Sequence, residues 1–168
     1  EQTVFFFQYA SPTGDPLING SLEQSLAGAE LVAFNEEHDM CLLRITGVRP
    51  DVPQGKCAIP PSYRPYFAGW NANRNFPAPV IGIHHPQASV RRYNRADEKP
   101  PLESYEISSL PIRWIDAHLY IKKWNVGTTA GGSSGSGLFD KNHHLIGALT
   151  GGSSFCKSPC NDYYYALS

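Results

Sequence analysis

The sequence predicts an all-β fold, a barrel or sandwich of short strands. Three observations carry this. Glycine (15) and proline (14) are frequent among 168 residues, and aromatic residues make up 12%. Short apolar runs recur at close spacing between turn clusters. No long stretch rich in alanine and leucine has the helical period.

The elements follow in order. Thr3 to Tyr9 (TVFFFQY) reads as a first strand, ended by the turn cluster from Ser11 to Pro16. Ala29 to Asn35 and Asp39 to Ile45 form a hairpin across Asn35-Glu36-Glu37-His38. A proline-rich stretch, Pro50 to Pro65, separates a short β portion (1–50) from a longer one (66–168). Tyr66 to Trp70 and Val80 to Ile83 are the next strands. Gln87 to Pro101 is polar and charged, and is expected to be a surface loop. Ile112 to Ile115 and Leu119 to Trp124 are two further strands. Gly127 to Gly137 is a loop of glycine, serine and threonine. Leu138-Phe139 and Leu145 to Leu149 make a hairpin, and Tyr163 to Leu167 is the last strand.

Several function classes lose support at this level. The formal net charge of −1 leaves no footprint for nucleic acid, and Arg91, Arg92 and Arg95 read as a solvated loop face. No apolar run approaches the roughly 18 residues of a membrane helix. The start Glu1-Gln2-Thr3-Val4 reads as a processed or trimmed end rather than a leader. Cys41, Cys57, Cys156 and Cys160 lack a metal-ligand pattern, so neither metal nor cofactor is expected. Four cysteines in a turn-rich β protein suggest disulfides and an oxidising compartment, with three pairings open.

Chemistry is concentrated in Gly131-Gly132-Ser133-Ser134-Gly135-Ser136-Gly137. Such a run could be a linker. Here it is entered from a strand and left through a hairpin, with Gly151-Gly152 soon after. A serine nucleophile must stand on a tight turn, with neighbouring amides free to face a developing oxyanion, and small residues permit both. Ser134 is the candidate nucleophile, and the amides of Gly132 and Ser134 are the candidate oxyanion hole.

This loop resembles the nucleophile loop of chymotrypsin-fold serine proteases. It is more similar to the Gly-Ser-Ser-Gly-Ser of bacterial lysyl endopeptidases. Phe67-Ala68-Gly69-Trp70, Ile83-His84-His85-Pro86 and the His118-Leu119 strand match the same relatives in the same order. The resemblance spans about Thr3 to Ala166. It implies a trypsin-like double β-barrel, here lacking most of the first barrel's N-terminal strands: 1–50 would end the first barrel and 66–168 form the second. It implies a secreted bacterial enzyme, monomeric, acting on polypeptides without a cofactor. Asp39, in His38-Asp39-Met40-Cys41-Leu42-Leu43, would be the triad carboxylate. Ser133 stands where the common loop has the aspartate that pairs with a freed N-terminal amine, so that activation switch is not expected.

A serine triad also needs a histidine base. In the family it precedes the aspartate, and only His38, adjacent in sequence and facing the other way, precedes Asp39 here. His84, His85, His118, His143 and His144 are expected in surface or structural roles. The resemblance therefore places the base outside this chain and leaves the fragment alone inactive; the end at Ser168 also falls before the family's closing helix. A non-catalytic pseudoprotease binding module and a β-barrel interaction domain remain as alternatives.

Specificity rests on two positions. Six residues before Ser134, where trypsin-like enzymes carry a pocket aspartate, stands Thr128. Lysyl endopeptidases draw an aspartate from the strand after the glycine pair, and Asn161-Asp162-Tyr163-Tyr164 resembles that segment. The resemblance thus assigns Asp162 to the specificity pocket and Thr150, Gly151 and Gly152 to the wall on which substrate pairs. Lysine, or arginine, would precede the cleaved bond.

Overall fold

The computed structural model describes residues 3–15, 17–47, 59–107 and 112–168. Its contacts divide the chain into two units, Glu1–Phe67 and Ala68–Ser168.

In the first unit β1 (Val4–Phe6) pairs antiparallel with β2 (Ser25–Ala27), and β3 (Ala29–Asn35) with β4 (Met40–Ile45). Asn35 closes the second hairpin: its side-chain oxygen accepts from the His38 amide at 3.1 Å, capping one 3-10 turn over Glu36–His38. Asp39 follows in the left-handed region, at φ +46°, on an exposed corner. Leu31, Phe34, Met40 and Leu42 on these strands are exposed.

The second unit is one antiparallel sheet. Its strands are β5 (Val80–His84), β6 (Arg92–Ala96), β7 (Leu102–Glu106), β8 (Arg113–Ile121), β9 (Gly137–Phe139), β10 (Leu145–Gly152) and β11 (Asp162–Ala166), in the order β6-β5-β9-β10-β11-β8-β7. No ladder among the described residues joins β6 to β7, so the sheet is open. Alternation along the strands, with the register shift in β10 between Leu145 and Gly147, brings Val80, Ala96, Leu119, Ile121, Leu138, Ile146, Leu149, Tyr164 and Ala166 together, and Phe76 and Trp124 complete the core. The opposite face carries an aromatic layer around His118: Tyr105, Trp114, Tyr163 and Tyr165 have ring centroids 5.2–6.5 Å from the imidazole.

Three expectations change. Residues 87–101 are not a surface loop throughout, because β6 lies within them. Its inward positions are Asn94 and Ala96, and the Asn94 amide occupies the space that a Cβ on Gly82 would need. A buried asparagine hides the period-two pattern. Ile112–Ile115 and Leu119–Trp124 are not separate strands. One strand, β8, passes through Asp116 at φ +47°, whose amide donates to the Ser104 hydroxyl at 3.1 Å. Tyr66 to Trp70 forms no strand, only a single bridge from Trp70 to Leu145. Cys41, Cys156 and Cys160 are free thiols, so no disulfide forms among the described cysteines; Cys57 lies outside the described residues. No described helix is long and apolar enough to cross a membrane.

Candidate active site

The serine loop is two consecutive β-turns. The Ser133 amide donates to the Ala130 carbonyl (3.0 Å), and the Ser136 amide to the Ser133 carbonyl (3.1 Å). The third residue of each turn is a glycine at positive φ, Gly132 at +87° and Gly135 at +79°. A turn of this class needs that conformation, and glycine adopts it without strain. Ser134 therefore stands exposed at the second turn, while Ser133 points inward and is buried. Two bonds tie the loop to β10: Gly135 N–H to the Leu149 carbonyl (2.7 Å) and Leu149 N–H to the Ser136 carbonyl (2.9 Å). The amides of Ser133, Gly135 and Ser136 are thus engaged. Those of Gly132 and Ser134 donate no hydrogen bond among the described residues.

Beyond this loop β10 keeps one paired edge. Gly151 pairs with Tyr163 and Gly152 with Asp162, after a bulge at Thr150, while the β9 ladder ends at Ala148. The Thr150 hydroxyl is within 3.0 Å of His118 Nε2. What this strand offers a ligand is its other backbone edge.

Asp162 begins β11 on the core face and is 1% exposed. Its Oδ2 accepts from Trp124 Nε1 at 2.6 Å and from the Thr129 hydroxyl at 2.7 Å. Burial pushes its carboxyl above the usual range, and the bonds from Thr129, Trp124 and Ser154 oppose this without cancelling it. Thr128, on the segment leading to the serine loop, bonds through its hydroxyl to that of Ser154 at 2.7 Å. The loop before Ser134, the strand Thr150–Gly152 and the buried Asp162 carboxylate are joined by these contacts. Sequence reasoning did not find Trp124, Thr129 or Ser154. A tryptophan and hydroxyl residues carry no spacing signal toward a carboxylate.

The histidines sort clearly. His118 is buried within the aromatic layer. His143 and His144 lie in the turn between β9 and β10, where the buried Asp140 carboxylate accepts from the Asn142 and His144 amides at 2.9 and 3.0 Å. His84 is buried at the end of β5, with Nδ1 2.8 Å from the Ser133 hydroxyl. Desolvation, then the electrostatic influence of His85 and Arg92, lowers its pKa to about 4, so it is neutral near pH 7. Its period-two relation to Val80 and Gly82 was the signal available for its inward position.

The family model for "Lysyl endopeptidase, C-terminal domain" matches residues 1–165. The chain belongs to this family. A lysyl endopeptidase of Pseudomonas aeruginosa is 27% identical over 183 residues, an alignment that takes in 99% of this chain and 34% of that protein. This member of the family thus spans about a third of that relative's length. Among solved structures, the active form of the Rv3671c protease from M. tuberculosis is similar at a TM-score of 0.50 and 16% identity, over 89% of this chain and 60% of that one. The all-β, trypsin-like fold expected from the lysyl endopeptidase resemblance is therefore the fold of this chain.

Proposed function

We propose that this chain carries the nucleophile and specificity pocket of a serine endopeptidase that cleaves after lysine, with arginine as the second choice. Residues 1–50 are read as the end of the first barrel and 66–168 as the second. The observation that carries the reading is the pair of undonated amides, Gly132 and Ser134, flanking a buried Ser133 on a doubly turned loop.

In this reading Ser134 Oγ attacks the carbonyl carbon while its proton passes to a histidine. The Gly132 and Ser134 amides stabilise the tetrahedral oxyanion, each contributing roughly 3 kcal/mol. The histidine returns the proton to the leaving amine, and water later cleaves the acyl-enzyme. Asp39 serves as the carboxylate that orients that histidine. The histidine itself is assigned outside this chain, because His84 and His118 are buried in other contacts and the remaining four lie on loops or turns. The substrate is a polypeptide, held as an added strand on the free edge of Thr150–Gly152. Asp162 then faces the cationic side chain before the cleaved bond. Its burial supports this: an ionised carboxylate held at a desolvation cost is relieved by an ammonium or guanidinium partner. An enzyme of this kind would act outside the bacterial cell as a monomer.

The test is an organofluorophosphonate probe on the full-length protein, followed by mapping of the adduct. Labelling at Ser134, lost in Ser134→Ala, is expected. Labelling at another serine overturns the assignment, and no labelling at all favours the reading as a non-catalytic binding module.

A further inference from the structure

The end of β5 and the segment that follows it lie directly on the serine loop, and two bonds join them. Gln87 N–H donates to the Gly131 carbonyl at 2.7 Å. His84 Nδ1 and the Ser133 hydroxyl lie 2.8 Å apart in a fully buried contact. A Cβ on Gly132 would sit 3.1 Å from the Gln87 nitrogen, so the approach is tight. Gln87 and Ala88 hold positive φ, at +52° and +56°, a left-handed pair that non-glycine residues adopt only when surroundings enforce it.

The first bond has a directional consequence. In a trans peptide the C=O and N–H point in opposite directions. With the Gly131 carbonyl held toward Gln87, the Gly132 N–H is aimed away from that segment. The second bond fixes the residue between the two undonated amides. The Ser133 oxygen accepts from the Ala130 amide at 3.3 Å and keeps a hydroxyl proton that it can donate to His84 Nδ1. With that donation Nδ1 is the acceptor and Nε2 carries the ring proton; Nε2 is buried and has no hydrogen-bond partner among the described residues. A neutral contact thus occupies the position of the charged anchor in the common loop.

We propose that His84 is a positioning residue for this site: with the Gln87 amide, its imidazole holds the Gly131–Ser133 turn so that the Gly132 and Ser134 amides converge on the carbonyl oxygen of the substrate. The inference rests on Ser134 being the nucleophile. It gives a role to a histidine that is buried against the serine loop with Nδ1 on the Ser133 hydroxyl. Burying an imidazole costs desolvation, which its bond to Ser133 offsets.

The experiment uses full-length protein and a fluorogenic lysyl peptide, with His84→Leu, His84→Asn, Ser133→Ala and Ser134→Ala. Binding of a lysinal-type peptide aldehyde, which forms the oxyanion adduct, is measured beside binding of a simple alkylamine, which needs only the pocket. His84→Leu and Ser133→Ala are expected to lower kcat by tenfold to a hundredfold, below the roughly hundredfold or greater loss of deleting a donor outright. KM should stay within about twofold. Aldehyde affinity should fall in parallel with kcat, and alkylamine affinity should hold. His84→Asn, whose amide oxygen can accept near the Nδ1 position, should recover most of the loss. If His84→Leu does not fold, Ser133→Ala reads the same contact by removing one oxygen. Unchanged kcat and aldehyde affinity in Ser133→Ala overturn the proposal, as does an equal fall in aldehyde and alkylamine affinity. Ser134→Ala separates the two levels. If it abolishes turnover while Ser133→Ala has no effect, only the role of His84 fails; if it retains turnover, the nucleophile assignment fails as well.

Discussion

Trp124 Nε1 donates to the Asp162 carboxylate at 2.6 Å, tying the end of β8's continuation to the first residue of β11. The same oxygen accepts from Thr129, five residues before Ser134. A carboxylate anchored from two sides is held at a fixed place rather than swinging with its side chain. A pocket that selects a cation benefits from that fixity, because little side-chain entropy is lost when ligand arrives.

The first prediction concerns the proposed pocket. Asp162→Asn keeps the shape and an acceptor for Trp124 but removes the charge. Breaking a buried ion pair costs about 3–5 kcal/mol, so kcat/KM for lysyl peptides should fall more than about a hundredfold. Peptides with a neutral residue at that position should change far less. A set of peptides varied only there, assayed with both full-length enzymes, decides it; a variant that keeps its lysine preference removes Asp162 from the pocket.

Gly132→Ala is expected to impair catalysis more than stability. The substitution meets φ +87° and a 3.1 Å approach to the Gln87 nitrogen, so the turn must shift or bear roughly 1–2 kcal/mol of strain. Either response moves an amide of the proposed oxyanion hole. The comparison is kcat against the urea midpoint of the full-length protein, with kcat falling at least tenfold.

The pH dependence of stability should carry the mark of His84. Its pKa is about 4 folded against 6.5 unfolded, so the unfolded chain takes the proton first as pH falls. The contribution is complete above about pH 6.5, declines through the window from 6.5 to 4, and levels off below. Its size is about 3 kcal/mol at about 1.4 kcal/mol per unit. Urea titrations of wild type and His84→Leu at pH 7 and 4.5 should show the slope reduced in the variant. An identical slope in both proteins assigns the pH dependence to other groups.

The 168 residues alone should hydrolyse lysyl peptides no faster than background, since the proposed triad takes its histidine from elsewhere. Loss of a triad member lowers the rate by several orders of magnitude while binding persists. Turnover by the isolated chain, abolished by Ser134→Ala, would mean that one of its own six histidines is the base.

The local features of the serine loop were legible in the residues. Gly132 and Gly135 sit at the third positions of two turns, where only glycine is free of strain, and a turn is specified within four residues. The hairpin capped by Asn35 was readable for the same reason, as were the apolar strands from Val80, Leu145 and Tyr163. Strand β6 was not, because Asn94 buries a polar side chain against Gly82, and its place was made by a residue twelve positions away. The contacts at Asp162 and His84 belong to the same class. The sequence by itself could nominate Asp162 only by resemblance, and it left His84 among the bystanders. The hydrogen bonds that Trp124 and Thr129 make to one, and Ser133 to the other, span 33 to 49 residues. Turn chemistry is decided by φ at neighbouring residues. Burial of a carboxylate or an imidazole is decided by which strands the register sets side by side, and only the tertiary structure fixes that.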